Sequence, residues 1–437
     1  MFLINWAGMA DYFSSNIVSV YYLSSFLYDL STDGISMRFF YTDSLRARMA
    51  DQDRECFGLE SPNVVRPYLA LWQNHSPTPL YSLPEVARAT NTANVMLKDE
   101  GRRLGMGSFK ALGGAYAVMS IFRTMLESRL GREITIPELL SPPAAKLAAN
   151  LTFCCATDGN HGKSVAAGAR ILGCRSVIFV HEGVTPERAE AIGADEIVRV
   201  PGNYDDSVAA AEKAASQRDW TLVSDTSWPG YETIPALVAQ GYTILADEAL
   251  QQFEHERVAP PTHVFLQAGV GGFASSISAY LLAALGNIKT IVVEPDRAAC
   301  LYESAIAGKL TSVAAREPTI MAMLECYTPS LVAWRVLQET ADAFMIISED
   351  DARQAMKMLA FRGGHYPIIS GESGAAGLAG LIAAASDPAA REKLKLDAGS
   401  RILLICTETA TDRASYEEAV GLPPEKVIEP GITGRQP

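Results

Sequence analysis

A chain of 437 residues, 48% of them hydrophobic, can bury a large core, and its length suits two lobes. A formal net charge of −13 argues against a nucleic-acid partner. The seven cysteines and six histidines are dispersed, with no CxxC pair, zinc spacing or HExxH, so no metal site is expected, and scattered thiols fit a reducing, cytoplasmic compartment.

The first 36 residues contain Asp11, Asp29 and Asp33 but no Lys or Arg. They lack the basic start of a signal peptide, and polar residues interrupt the apolar run too often for a membrane span. They are expected to be an extension outside the folded core, with Met37 as an alternative start. Ser76-Pro77-Thr78-Pro79-Leu80 then reads as a rigid loop, since each proline biases its predecessor toward extended backbone. Val95 to Lys98 is a predicted strand. From Phe109 the apolar positions Leu112, Tyr116, Met119, Phe122 and Leu126 recur at helical spacing, with Ser108 as the predicted N-cap. Glu133 to Ala145, broken by prolines, reads as a loop.

Strands and helices alternate from there. Strands are predicted at 151–156, 175–180, 196–200, 221–223, 263–267, 289–294, 344–347 and 401–405. Helices are predicted at 163–172, 186–192 and 205–217, from about 232 to 253, and from Ser348 to Phe361. The Gly- and Ala-rich run from Gly371 to Ala385 suggests a buried helix. Leu151 to Ala156 is apolar without alternation, as in a strand buried on both faces. This βαβα rhythm implies parallel sheets flanked by helices. Gly308 to Pro329 has no clear period and is a candidate lid or interface loop. The tail from Pro423 is expected to be peripheral. Cys300 and Cys326 are a candidate pair, but free thiols are the expectation.

Three stretches carry chemistry. Gly107-Ser108-Phe109-Lys110-Ala111-Leu112-Gly113-Gly114 places one lysine at the start of an apolar helix. There the helix dipole and burial would both lower its pKa, as a Schiff-base lysine needs. A lysine whose stem packs while its head reaches water has the same local sequence. Gly269-Val270-Gly271-Gly272 follows a predicted strand and opens a helix, so its N–H groups suit a phosphate. With Ala274 and Glu294 it also fits a dinucleotide fingerprint, so a nicotinamide dehydrogenase stays open at this point. Thr157-Asp158-Gly159-Asn160-His161-Gly162 is a strand-to-helix loop at a sheet's carboxyl edge, where such folds bind ligands; an Asx turn without a ligand is the plainer reading.

Together with Ser224-Asp225-Thr226-Ser227-Trp228, Ala239-Gln240-Gly241-Tyr242 and Val293-Glu294-Pro295-Asp296, these stretches resemble the fold-type II pyridoxal-phosphate enzymes. Within that group the resemblance is to the diaminopropionate ammonia-lyase family, over roughly residues 64–412. It implies an α/β fold of the tryptophan synthase β type, with two lobes, each a mostly parallel open sheet flanked by helices. Residues 37–115 and 230–437 would form the large cofactor-binding lobe and 116–229 the small lobe. It further implies a homodimer, an amino acid substrate and pyridoxal 5'-phosphate as cofactor, carried by Lys110. The phosphate would sit in Gly269, Val270, Gly271 and Gly272, the ring hydroxyl on Asn160, and the ring nitrogen on Cys406 or Thr407. Asp158, usually serine in related dehydratases, suits a second substrate ammonium and would share proton abstraction with Lys110. Thr157, Gly159 and His161 would meet the substrate carboxylate. Asp225 would add a second acid near the amine, or else cap the following turn.

The implied reaction is α,β-elimination of ammonia from 2,3-diaminopropionate, giving pyruvate and two ammonia. A serine or threonine dehydratase, a nicotinamide dehydrogenase and a non-catalytic pyridoxal-phosphate binder are the alternatives. One departure stands out: the family's Thr-Glu-Gly reads Thr407-Glu408-Thr409 here, and loss of the glycine is expected to alter the backbone path. Glu372 is read as capping its helix.

Overall fold

The apolar runs that read as strands form two separate sheets. The computed structural model describes residues 39–42, 49–73, 75–157, 159–315, 317–361 and 366–428; the expected extension at 1–36 and Asp158 lie outside the described residues. In chain order the strands are β1 (Phe39–Tyr41), β2 (Leu80–Ser82), β3 (Asn94–Asp99), β4 (Thr152–Ala156), β5 (Arg175–His181) and β6 (Glu196–Val200). They continue as β7 (Thr221–Leu222), β8 (His263–Gln267), β9 (Lys289–Pro295), β10 (Ala343–Ile347) and β11 (Arg401–Cys406). The larger sheet has seven strands in the order β1-β10-β9-β8-β11-β3-β2, and the smaller has four, β6-β5-β4-β7. Among the strands described, the edge pairs β1–β10 and β2–β3 are antiparallel and the other pairs are parallel.

Parallel strands need covering on both faces, and β4 shows how its sequence meets that demand. Phe153 and Cys155 join the main core cluster, while Cys154 and Ala156 join a second cluster on the opposite face. The main cluster also takes in Val264 and Leu266 of β8 and Leu403 of β11, so one apolar core reaches both sheets.

Five helices position the site: α1 (Lys110–Leu130), α2 (Asn160–Leu172), α3 (Gly272–Leu285), α4 (Cys300–Ala307) and α5 (Glu372–Ser386). The predicted face of α1 is buried throughout, from Leu112 at 1% exposure to Leu126 at 0%. Its small residues let neighbours approach closely. A Cβ added at Gly113 would lie 2.6 Å from the Val238 carbonyl oxygen.

The structure corrects three expectations. The prolines of 133–145 start helices: a 3₁₀ turn, Ile136–Leu140, and a helix, Pro142–Ala148, carry Pro137, Pro142 and Pro143 in their first turns. Proline is tolerated there because those N–H groups have no intrahelical partner. The single helix expected after Glu232 is two, Thr233–Gly241 and Thr243–His255. They meet where Gly241 passes so near α1 that a Cβ would sit 2.7 Å from the Leu112 carbonyl oxygen. α2 begins at Asn160, three residues before the expected start at Lys163. The helix read from Ser348 holds, with the Asp351 carboxylate accepting from the Ser348 N–H at 2.8 Å.

Among the described residues no helix is long and apolar enough to cross a membrane, and no group of three or more His, Cys, Asp or Glu side chains could hold a metal. None of the seven cysteines is in a disulfide.

Candidate active site

The carboxyl ends of β4, β8 and β11 open onto one cavity of ≈ 860 Å³, part of it open to solvent. Its wall includes Lys110, Thr157, Asn160, His161, Asp225, Gly269, Val270, Gly271, Gly272, Thr407 and Glu408. Three stretches far apart in sequence therefore meet, as expected at the edge of such sheets. Gly159 and Cys406 are not on that wall.

Lys110 is the first residue of α1. Phe109 holds the cap position, and the Ser108 hydroxyl oxygen accepts from the Lys110 N–H at 3.1 Å. What aims the lysine is a short bridge between Ser108 and Glu408. In it the Phe109 N–H donates to the Thr407 carbonyl at 2.9 Å and the Thr409 N–H to the Gly107 carbonyl at 2.9 Å. Thr409 has no positive φ, so the threonine at the family's glycine position brings no left-handed strain.

The ammonium of Lys110 donates to Asp225 Oδ2 at 2.7 Å. Burial works to lower the lysine pKa, but the Asp225 carboxylate, with Tyr242 and the direct hydrogen bond, more than reverses this and leaves it raised. That corrects the expected depression: a full opposite charge at contact outweighs a helix dipole of about half a charge. Asp225 is held at about 2, because Lys110 and His161 overcome the burial that disfavours its charge. The turn carrying it is rigid. Tyr231 hydroxyl donates to the Leu222 carbonyl at 2.7 Å and accepts from the Ser224 N–H at 3.1 Å, and its ring stacks on Trp228.

Thr157 and Asn160 shape the opposite side. Thr157 Oγ1 accepts from the N–H groups of Gly159 at 2.9 Å and Gly162 at 3.2 Å. Gly159, at φ 145°, turns the chain into α2. His161 Nε2 lies 2.7 Å from the Val223 carbonyl; a carbonyl only accepts, so Nε2 carries the proton and Nδ1 is a buried acceptor with no partner among the described residues. Burial holds this ring below the usual imidazole range.

Two groups in the wall were missed from sequence. Glu408 accepts from Asn160 Nδ2 at 2.7 Å. Burial and then Glu372 push its carboxyl up to about 7. Its signal was its place just past the carboxyl end of β11. Gln267, the last residue of β8, gives its amide N–H groups to the carbonyls of Ser373, Gly374 and Ile405 and to Thr407 Oγ1. That spends Thr407's hydroxyl as an acceptor and leaves its proton to point elsewhere. Cys406 faces away and donates to the Glu408 carbonyl at 3.3 Å. The step of one residue at a strand end reverses the face, so only Thr407 of the expected pair reaches the cavity. Met323, Leu324 and Cys326, from the aperiodic stretch read as a lid or interface loop, close part of it.

The nicotinamide reading loses its acid. Both oxygens of Glu294 are occupied by the first turn of α4, accepting from the N–H groups of Leu301 at 2.8 Å and Tyr302 at 2.6 Å. A ribose would find no free carboxylate there.

Residues 71–408 match the family model described as pyridoxal-phosphate dependent enzyme. The diaminopropionate ammonia-lyase of Escherichia coli strain K12 is 38% identical over 373 residues, 83% of this chain and 92% of that protein. The chain belongs to the diaminopropionate ammonia-lyase family of pyridoxal-phosphate dependent enzymes. A crystal structure of the Escherichia coli lyase with an aminoacrylate-PLP azomethine reaction intermediate superposes with a TM-score of 0.79 at 34% identity, covering 89% of this chain and 98% of that one. The biosynthetic L-threonine dehydratase of Haemophilus influenzae is more distant, 28% identical over 70% of this chain and 52% of its own length.

The residues present fit the family's cofactor. Gly271, at φ 98°, caps α3, and a Cβ there would come within 3.0 Å of the Ala333 Cβ. Only glycine leaves that main chain open for a phosphate at the positive end of a helix of fourteen residues. Beside it stand a cavity-facing lysine and a buried imidazole nitrogen with no partner among the described residues.

Proposed function

We propose that this chain eliminates ammonia from 2,3-diaminopropionate, giving pyruvate and two ammonia with one water consumed. The observation that carries this reading is the part-buried Lys110–Asp225 pair on the wall of a glycine-cradled cavity, in a chain of this family. Pyridoxal phosphate, when bound, supplies the electron sink for charge developing at the substrate α-carbon. Lys110 holds the cofactor, and the N–H groups of Gly269 to Gly272 hold its phosphate. Asn160 meets the ring hydroxyl and Thr407 the ring nitrogen.

Lys110, as the neutral amine, takes the α-proton from one face. Asp225 then faces the ammonium that results, and its contact at 2.7 Å lowers the cost of that protonated state. Asp158, by its sequence position between Thr157 and Gly159, is assigned the proton on the other face and the attraction of the second substrate ammonium. Thr157 and the N–H groups that open α2 orient the substrate carboxylate, with Gly159 setting the turn and His161 beside them. The C–N bond at the β-carbon breaks with its electron pair going to nitrogen, so the second ammonium departs as ammonia, and the released enamine is hydrolysed by one water to pyruvate and the other ammonia.

Division into a large lobe (37–115 and 230–437) and a small lobe (116–229) is supported by the way the strands fall into the seven- and four-stranded sheets. A homodimer in the cytoplasm completes the proposal. The test is pyruvate release from D- and L-2,3-diaminopropionate, with serine and threonine alongside, for wild type and Lys110→Ala. Turnover of diaminopropionate that vanishes in the variant supports the lyase. Activity confined to the hydroxy amino acids would make it a dehydratase.

A further inference from the structure

The carboxyl group of Glu408 has no place in the elimination as derived above, yet it is buried in the same cavity. It sits at 4% exposure, against Asn160 at 7%. We propose that Glu408 is a positioning residue: its carboxylate fixes which end of the Asn160 amide is turned away from the cavity, and so sets the proton on the cofactor's ring hydroxyl. This role rests on the reading that Asn160 meets that hydroxyl.

The two ends of an asparagine amide have nearly the same shape and opposite hydrogen-bonding sense, so shape alone does not choose between them. A carboxylate can only accept. With Nδ2 at 2.7 Å from Glu408 Oε2, one N–H of Asn160 is committed and the amide is locked. Nδ2 keeps a second hydrogen, available to the cavity that Asn160 lines. A donor there favours the deprotonated ring oxygen. Glu408 is in turn held by its main chain. It bridges to Ser108, and its carbonyl accepts from the Gly371 N–H at 3.2 Å and from Cys406 Sγ at 3.3 Å. The lock therefore joins β11, the lysine loop and α2 at one point.

A protonated Glu408 could instead donate to Asn160 Oδ1, and the amide would turn over to receive it. The charged groups facing Glu408 come from four places: Glu372 at the start of α5, Arg188 from the helix Pro186–Glu190, Lys110 of α1 and Lys163 of α2. Burial and Glu372 favour its proton, and the Asn160 bond, Arg188 and Lys110 oppose it.

The experiment is a pH titration of the bound cofactor's absorbance, without substrate, in wild-type holoenzyme, Glu408→Gln, Glu408→Asp, Asn160→Ala and the Gln/Ala double variant. The sign discriminates. Loss of a negative charge alone would stabilise the ring phenolate and move its midpoint down. Loss of the amide lock removes a donor and moves it up by about one unit. An upward shift in Glu408→Gln, matched by Asn160→Ala, not enlarged in the double variant and partly reversed in Glu408→Asp, supports the proposal. A downward or absent shift in Glu408→Gln beside an upward shift in Asn160→Ala overturns it while leaving Asn160's contact standing. No shift in Asn160→Ala overturns that contact and the proposal with it. Should Glu408→Gln fail to bind cofactor, Glu408→Ala, which loses both the charge and the lock, decides by the same sign.

Discussion

Replacing Asp225 by asparagine removes the charge that sits 2.7 Å from Lys110 Nζ while keeping the side chain's shape. Taking one partner from a buried ion pair costs about 3–5 kcal/mol. The side chains here keep 22% and 11% of their exposure. The lower end, about 3 kcal/mol, is therefore apt and corresponds to about two pKa units on the lysine. Lys110 stands above its ordinary 10.5 because of Asp225, so the variant lysine falls back toward that value. Its neutral fraction at fixed pH rises about a hundredfold. Cofactor capture needs the neutral amine. Stopped-flow absorbance of cofactor-depleted protein mixed with pyridoxal phosphate at about pH 7 should show faster loading in Asp225→Asn, with the gap closing as pH rises. Turnover should fall in the same variant, since protonated Lys110 has lost its counter-charge. Loading that is unchanged, or slower at every pH, would refute the pairing as the control on Lys110. The pair also predicts the sign of pH effects on wild-type stability. The lysine's share is complete below 10.5 and is lost as pH climbs through its raised value. The aspartate's share is complete above 3.8 and is lost as pH falls through about 2.

Gly271→Ala places a Cβ at φ 98° and 3.0 Å from Ala333 Cβ, and should cost about 1–3 kcal/mol in denaturant unfolding and weaken cofactor binding in a titration. Glu248→Gln strips the shared carboxylate from Lys98 and Arg103, all at 1% exposure or less. It should lower unfolding free energy by about 3–5 kcal/mol, measured by chemical denaturation. Glu294→Gln turns one of two acceptors toward an N–H of α4 into a donor, and calorimetry should show a loss of about 1–3 kcal/mol. A neutral result there would remove the capping role assigned to Glu294.

Much of the fold was legible because parallel strands buried on both faces announce themselves as apolar runs: β8, buried at every residue, falls at the predicted residues. The glycine turn and the lysine at the head of α1 were legible because both are local. The edge strands β1 and β2, three residues each, were not, since so short a run carries no period. Prolines at 137, 142 and 143 misled because the same residue ends one helix and begins another. The lysine's charge state was out of reach for a different reason. Its helix dipole can be read locally, but Asp225 lies 115 residues away. Glu408 was hidden likewise, 248 residues from the asparagine it holds. Cys406 and Thr407 could have been separated by strand parity, had the last residue of β11 been known.

The most direct test of the central claim is the ratio of products released from 2,3-diaminopropionate by holoenzyme, with ammonia and pyruvate assayed in the same sample. Two ammonia should appear for each pyruvate, with both lost in Lys110→Ala. Pyruvate production that survives in that variant, or a ratio of one, would contradict it.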